Sequence, residues 1–103
     1  MPRKYKVRIA RSAEKDIESI YNYIAVDNPD AAVAFVIELE HQISTLETFP
    51  YRCPIIPEAT DLGVDYRHLL YRDYRTIFRV SGKTVFISRV IHGSRLLDLS
   101  WLE

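Results

Sequence analysis

The chain has 103 residues and is 48% hydrophobic, which suits one packed domain over residues 1–103. A single cysteine, Cys53, excludes an internal disulfide framework and a multi-cysteine zinc site. No apolar run reaches the roughly 20 residues of a membrane-spanning helix. Because the first residues interleave charged and apolar side chains, with no apolar signal-peptide segment, we expect a cytoplasmic protein that has no membrane partner.

A strand and two helices are predicted first along the chain. Residues 5–9 alternate between apolar and basic side chains, which is typical of a half-buried strand. Ser12 is a suitable N-cap for a first helix, and Asn28-Pro29 ends that helix and begins a second, which reaches Phe49-Pro50. Since the link between them is so short, the two amphipathic helices are expected to form an antiparallel hairpin.

Three strands are predicted after a proline-rich loop over residues 50–65. They cover residues 66–72, 74–80 and 84–92, and Ser81-Gly82 suits a two-residue hairpin turn between the last two. Pairing through that turn places Arg75, Arg79 and His92 on one face of the sheet. The element order predicts an α+β fold, with the helical hairpin packed on an antiparallel sheet and a short helical or extended C-terminal tail.

The formal net charge of zero is a sum of segments with opposite sign. Residues 1–10 carry four basic side chains and no acid, and residues 66–95 carry seven basic side chains against Asp73. The acids are concentrated in residues 11–50 and in the remaining loop and tail. The predicted sheet is therefore basic and the predicted helices are acidic, so the nature of a partner should be judged from the sheet.

Candidate functional residues lie on or beside this basic sheet. Guanidinium groups bind phosphate and aromatic rings stack on bases, so such a cluster can hold RNA or stabilise a phosphoryl-transfer transition state. His92 is a candidate acid or base near neutral pH. The simpler alternative is that the arginines keep one sheet face soluble. The predicted basic face comprises Arg67, Arg72, Arg75, Arg79, Arg95 and Trp101.

The sequence contains none of the patterns that would indicate a bound cofactor or metal. It has no glycine-rich phosphate loop, no His-Glu-x-x-His motif and no zinc spacing of cysteine and histidine. We therefore expect neither a cofactor nor a metal ion.

Three motifs carry a family resemblance: YRTIFRV at residues 74–80, RVIHGSR at residues 89–95 and DNPDAA at residues 27–32. Together, over residues 5–95, they resemble the RelE/ParE superfamily of toxins from bacterial type II toxin–antitoxin, or plasmid stabilisation, modules. The family fold is a helical hairpin against an antiparallel sheet. The resemblance implies a toxin that is neutralised by a cognate antitoxin, whose C-terminal segment wraps around it. We expect that segment to be acidic and to place apolar residues in a groove between the helices and the sheet.

The resemblance leaves two branches of the superfamily open. RelE-type members cleave mRNA in the ribosome, whereas ParE-type members act on DNA gyrase and are not nucleases. Arg67 matches a lysine of the RelE-type site, but Leu69 stands where a second lysine is expected, and Trp101 falls near the place of a catalytic tyrosine. The catalytic residues of a RelE-type protein would be Arg75, Arg95 and His92. These departures and the HGSR ending favour ParE-like inhibition of DNA gyrase, with a ribosome-dependent mRNA endoribonuclease and a non-toxic RNA- or partner-binding module as alternatives.

Overall fold

The computed structural model describes residues 4–59, 63–95, 97 and 99–102, without the side chains of Ala59, Leu99 and Trp101. Within them, two helices pack on a four-stranded sheet. The elements are β1 (Lys6–Ile9), α1 (Arg11–Asp27), α2 (Pro29–Ser44), β2 (Tyr66–Tyr71), β3 (Tyr74–Ser81) and β4 (Thr84–His92). Short 3-10 turns lie at Thr45–Glu47, Pro50–Arg52, Pro57–Ala59 and Leu99–Leu102. The predicted α+β fold, with its N-terminal strand and helical hairpin, is confirmed.

The sheet is mixed, with the strand order β1-β4-β3-β2. The β2–β3 and β3–β4 pairs are antiparallel, as predicted, but β1 lies parallel to β4, with Val7 opposite Val85. Parallel neighbours need a long crossover connection, and here the two helices and both other strands intervene along the chain. The expectation of a purely antiparallel sheet was therefore wrong for this one strand.

The β3–β4 turn lies one residue later than predicted. Ser81 pairs with Thr84, so the two turn residues are Gly82 and Lys83 instead of Ser81 and Gly82. Gly82 has a φ of 59°, a left-handed conformation that glycine adopts without a steric penalty. A two-residue hairpin turn with glycine in its first central position matches the right-handed twist of the flanking strands.

A β-bulge further along the same pair changes which side chains share a face. The register shifts between Ile77 and Phe78, which leaves Ser88 as an extra residue on β4. Beyond the bulge His92 pairs with Tyr74. The prediction that His92 shares the face of Arg75 and Arg79 was therefore wrong, because the extra residue reverses the alternation.

The helix boundaries agree with the sequence prediction at the junction between α1 and α2. They differ from it at the start of α1 and at the end of α2. Asn28 Oδ1 accepts a hydrogen bond from Ala31 N–H at 3.1 Å, and proline is the first residue of α2, as predicted. Ser12 was wrongly predicted as the N-cap of α1, because its Oγ instead donates to the Ser88 carbonyl oxygen at 2.9 Å. This bond ties the start of α1 to β4. At its other end α2 stops at Ser44, earlier than predicted.

Both faces of the sheet are covered by apolar residues. The helices enclose the main core, which comprises Ala13, Ile20, Phe35, Leu39, Ile43, Leu46, Cys53, Phe78, Val85, Ile87 and Val90. On the opposite face a smaller core comprises Ile56, Tyr66, Ile77, Ile91, Leu97 and Leu102. Tyr66 Oη donates to the Leu102 carbonyl oxygen at 2.9 Å, which holds the last 3-10 turn on this face. In the described part of the chain, neither helix has the length and apolar character that crossing a bilayer requires.

Candidate functional site

A groove of about 770 Å³ lies at the end of the sheet where β2 turns into β3 and where β4 ends. We call it the basic groove. Its lining residues are Pro57, Glu58, His68, Leu70, Arg72, Asp73, Tyr74, Arg75, His92, Gly93, Ser94 and Arg95. Four of the predicted site residues meet there: Arg72, Arg75, His92 and Arg95.

Arg75 lies at the floor of the basic groove and is paired within the chain. Its Nη1 and Nη2 donate to the two carboxylate oxygens of Glu58, at 3.1 and 2.5 Å, and Nη2 also donates to the Arg95 carbonyl oxygen at 3.1 Å. Only 6% of the residue is exposed. The hydrogen bonds from Arg75 lower the pKa of Glu58 from 4.5 to about 2, so the ion pair is complete at neutral pH. The ion pair between Arg75 and Glu58 thus holds the turn at Pro57–Ala59 against the sheet.

His68 is a groove residue that was absent from the predicted site. It lies on β2 opposite Ile77, so it shares a sheet face with Leu70, which is opposite Arg75. Its Nδ1 is buried and has no hydrogen-bond partner among the described residues. Burial, followed by the charge of Arg75, lowers the pKa of His68, which keeps its ring neutral at pH 7. The alternation of side chains along β2 was the signal that placed residues 68 and 70 on the same face.

His92, Arg72 and Arg95 form the exposed rim of the groove. His92 Nδ1 accepts a hydrogen bond from Ser94 N–H at 3.1 Å, so the neutral ring carries its proton on Nε2. The ring packs edge-on against Tyr74, with centroids 5.4 Å apart. Arg72 has a φ of 52° at the β2–β3 turn, and its Nε donates to Tyr71 Oη at 3.1 Å.

Gly93 brings the segment after β4 against the β2–β3 turn. Its N–H donates to the Asp73 carbonyl oxygen at 2.7 Å. A Cβ atom at position 93 would lie 3.3 Å from that same oxygen, which is tighter than an ordinary contact. The glycine of the HGSR motif therefore sets the width of the groove at its rim.

The other predicted residues lie outside the basic groove. Arg67 pairs with Phe78, so it belongs to the helix side of the sheet, where it donates to the Cys53 carbonyl oxygen at 2.6 Å and covers the Tyr51 ring. Arg79 lies over the Phe86 ring, 4.4 Å from its centroid, toward the other end of β3. The side chain of Trp101 lies outside the described residues. The arginines of the predicted basic face are thus divided among the basic groove, the helix side of the sheet and the other end of β3.

A second internal ion pair reduces the charge of the sheet further. Arg89 Nε and Nη2 donate to the two carboxylate oxygens of Asp16, at 2.7 and 2.8 Å. Asp16 also accepts from Val90 N–H at 2.9 Å. The hydrogen bonds that Arg89 donates to Asp16 raise the pKa of Arg89, so the guanidinium stays charged, and the pair joins α1 to β4. Counting charges along the sequence did not reveal it, because the partners are 73 residues apart.

The chemistry available in the groove is that of arginines, histidines and carboxylates. No cluster of three metal-ligating side chains occurs in the part of the chain that the structure describes. Cys53 is buried, and burial raises the pKa of its thiol despite Arg52 and Arg67 nearby, so it is a poor nucleophile at neutral pH.

Two solved structures of toxin–antitoxin systems share this fold. The chromosomal ParDE system from P. aeruginosa has a TM-score of 0.69 and 24% identity, over 87% of this chain and 97% of that one. The RelBE2 complex from Mycobacterium tuberculosis has a TM-score of 0.58 and 24% identity, over 86% of this chain and 98% of that one. These two likenesses show that the helical hairpin and the sheet form a fold that occurs in solved toxin–antitoxin systems.

A family model identifies the family to which the chain belongs. The model for the ParE toxin of the type II toxin-antitoxin system, parDE, matches residues 7–97, and the chain belongs to this family. None of the curated proteins compared with the sequence matches it significantly. The resemblance predicted from the three motifs is confirmed at the level of the family.

Proposed function

We propose that this ParE-family toxin inhibits DNA gyrase without cleaving RNA, and that a cognate antitoxin neutralises it. The observation that carries the proposal is the ion pair of Arg75, which matches an arginine of the RelE-type nuclease site. Both of its terminal nitrogens are engaged by Glu58, and the residue is almost fully buried. A nuclease that used Arg75 to stabilise charge on a phosphate would first have to displace this carboxylate.

Leu69 gives independent support for the same proposal. It stands where a RelE-type protein would carry a lysine, and its side chain packs against the main core. It pairs with Thr76, which is also buried, on the helix side of β3. The position therefore contributes to packing and supplies no cation to the basic groove.

The gyrase proposal is tested by two assays on the same purified protein. DNA supercoiling by gyrase is expected to fall as toxin is added, with accumulation of cleaved gyrase–DNA complexes. Primer extension on mRNA in a translating extract is expected to show no codon-positioned cuts. Unchanged supercoiling in the presence of folded toxin would contradict the proposal, and harmless expression at confirmed soluble levels would favour a non-toxic binding module.

A RelE-like endoribonuclease is the second candidate, and the rim of the basic groove favours it. Arg72, His92 and Arg95 surround one open groove, where a guanidinium can bind phosphate and the His92 Nε2 proton can be donated. In that case R95A and H92Q abolish codon-positioned cleavage, whereas K15A, on the exposed side of α1, leaves it unchanged. Variants that stay as toxic as the wild type exclude this candidate.

The antitoxin is proposed to occupy a second groove, between the helical hairpin and the β2–β3 turn. This groove has a volume of about 560 Å³, and its walls include Ile24, Ala31, Ala34, Phe35, Tyr71 and Tyr74. Its charged lining residues are Glu38, Asp73 and Arg72, and Arg72 lies at the junction with the basic groove. The apolar walls suit the apolar side chains of the antitoxin segment, and its acidic side chains are proposed to lie beside Arg72, away from Glu38. Both solved relatives are toxin–antitoxin systems, which supports a partner of this kind.

The substitution A34W tests this placement by filling the groove. It is expected to prevent co-purification with the antitoxin encoded beside the toxin gene, while S19W, on the exposed side of α1, retains it. The wild-type complex is expected to weaken as salt is raised, because the acidic segment faces Arg72. Equal antitoxin binding by A34W, S19W and the wild type would place the antitoxin elsewhere.

A further inference from the structure

The outer edge of β1 carries backbone groups that no described strand pairs with. β1 is the last strand on its side of the sheet. Lys6 N–H and Ala10 N–H donate to β4, both at 2.8 Å, so alternate residues from position 6 face β4. In a parallel ladder the intervening residues direct both N–H and C=O to the other side. Tyr5 N–H does so and bonds the Glu47 carbonyl oxygen at 2.7 Å.

The outward backbone groups of β1 therefore belong to Val7 and Ile9. The bond between Tyr5 and Glu47 ends the edge on one side, and α1 begins on the other. An edge strand with unpaired groups is a template for pairing with another chain. This edge is long enough for a segment of four or five residues at the spacing of a β-strand, about 3.3 Å per residue.

The side chains of β1 alternate between basic and apolar. Lys6 and Arg8 are exposed, and neither has an ion-pair partner among the described residues. Val7 packs on the main core, and Ile9 remains 37% exposed. Arg79 adds another cation on the sheet face of Arg8, because Arg8 pairs with Phe86, whose ring Arg79 covers.

An apolar pocket lies at the start of the same strand. It has a volume of about 400 Å³ and is lined by Tyr5, Thr48, Phe49, Pro50, Tyr51 and Arg52. Phe49 and Tyr51 are exposed, so the pocket is open to solvent. Because Tyr5 directly precedes β1 and also lines the pocket, an apolar side chain at one end of a docked segment is within reach of it.

From these features we propose that the outer edge of β1 binds an extended segment of a partner polypeptide in which acidic and apolar residues alternate. Main-chain hydrogen bonds to Val7 and Ile9 supply the pairing, as in other cases of strand addition. Acidic side chains lie beside Lys6 and Arg8, since opposite charges in neighbouring strands stabilise a sheet. Apolar side chains of the segment cover Ile9 and reach the pocket. The proposal does not depend on whether the toxin acts on gyrase or on RNA.

A second copy of this chain is a poor occupant of the edge. Pairing β1 with another β1 would bring Lys6 and Arg8 beside their counterparts, and like charges on adjacent strands destabilise the pair. The basic side chains of β1 thus favour a partner strand with acidic side chains and disfavour pairing with a second β1. This combination of attraction and repulsion is how edge strands acquire specificity.

The test uses a synthetic octapeptide of alternating glutamate and valine and isotope-labelled toxin. The amide signals of Val7 and Ile9 are expected to shift on addition of the peptide, and their hydrogen exchange is expected to slow about tenfold. V7P removes an outward N–H without removing a bond to β4, so it weakens binding while the thermal transition remains. Shifts confined to the basic groove, or self-association of the toxin through β1, would overturn the proposal.

A charge exchange makes the test independent of any one variant. The double substitution K6E/R8E is expected to weaken binding of the glutamate–valine peptide about tenfold or more and to create binding of a lysine–valine peptide. K15E is the matched control for the single substitution R8E. It also reverses one exposed charge, but on α1, and is expected to leave peptide binding unchanged. Equal binding of the glutamate–valine peptide by the wild type and K6E/R8E refutes the proposed recognition.

Discussion

The ion pair between Glu58 and Arg75 is expected to contribute measurably to the stability of the fold. The substitution E58Q keeps the size of the side chain and removes its charge, which leaves the guanidinium of Arg75 buried without a carboxylate. Breaking one half of a buried pair is costly because the remaining charge is uncompensated. The side chain of Arg75 is 7% exposed and that of Glu58 is 21% exposed, so solvent replaces little of what is lost.

The size of the effect follows from the pKa of Glu58. A value of about 2 instead of 4.5 corresponds to about 3 kcal/mol of preference for the charged form in the folded state. Solvent contact of the carboxylate reduces this, so we expect E58Q to lower the free energy of unfolding by about 2 kcal/mol at pH 7. Because the pKa is lower in the folded state, this contribution is complete above about pH 5 and is lost as the pH falls toward 2.

Urea unfolding of the wild type and E58Q at pH 7 and at about pH 2.5 measures this effect, since the difference between the two proteins isolates Glu58 from other carboxylates. The difference should be about 2 kcal/mol at pH 7 and shrink in acid. E40Q, on the exposed side of α2, serves as the matched control and should change stability by less than about 0.5 kcal/mol. An E58Q protein as stable as the wild type at pH 7 would refute the reasoning.

Three other substitutions test the contacts that hold the remaining elements. D16N should cost about 2 kcal/mol in urea unfolding, because it removes the charge that binds Arg89 at two points, whereas E18Q on the exposed side of α1 should cost almost nothing. N28A should lower the stability by about 1 kcal/mol, measured by thermal unfolding, because α2 loses its N-cap. G82A should cost about 1 kcal/mol or more in the same measurement, because alanine is strained at a φ of 59°, and an unchanged transition would contradict the assigned turn.

The fold was predictable because its signals are local. Alternating residues mark the strands, apolar spacing marks the helices, and Asn28-Pro29 marks their junction. The direction of β1 was not predictable from local signals, because it depends on which distant strand β1 pairs with in the folded chain. The bulge at Ser88 was also not predictable, because an extra residue in a strand leaves no distinct composition in the sequence.

The candidate site was only partly predictable for a related reason. The sequence places Arg72, His92 and Arg95 near the same end of the sheet, and the structure brings them to one groove. Whether an arginine is available to bind a ligand depends instead on whether it already has a partner within the chain. The partner of Arg75 is Glu58, which lies 17 residues away in the sequence and in a different element. Charge totals treat all basic side chains alike, so they overstate the cationic surface wherever an acid from another element neutralises a guanidinium.

The parallel pairing of β1 with β4 has a consequence for how the chain folds. Lys6 pairs with Thr84, so the loop that must close before the sheet is complete contains almost the whole fold. Closing such a long loop costs entropy that no local contact repays, and folding slows as the mean separation of contacting residues rises. During synthesis β1 is made before both helices, β2 and β3, so it can pair with β4 only after all of them have been made. A chain interrupted before residue 84 therefore lacks the strand on which β1 docks.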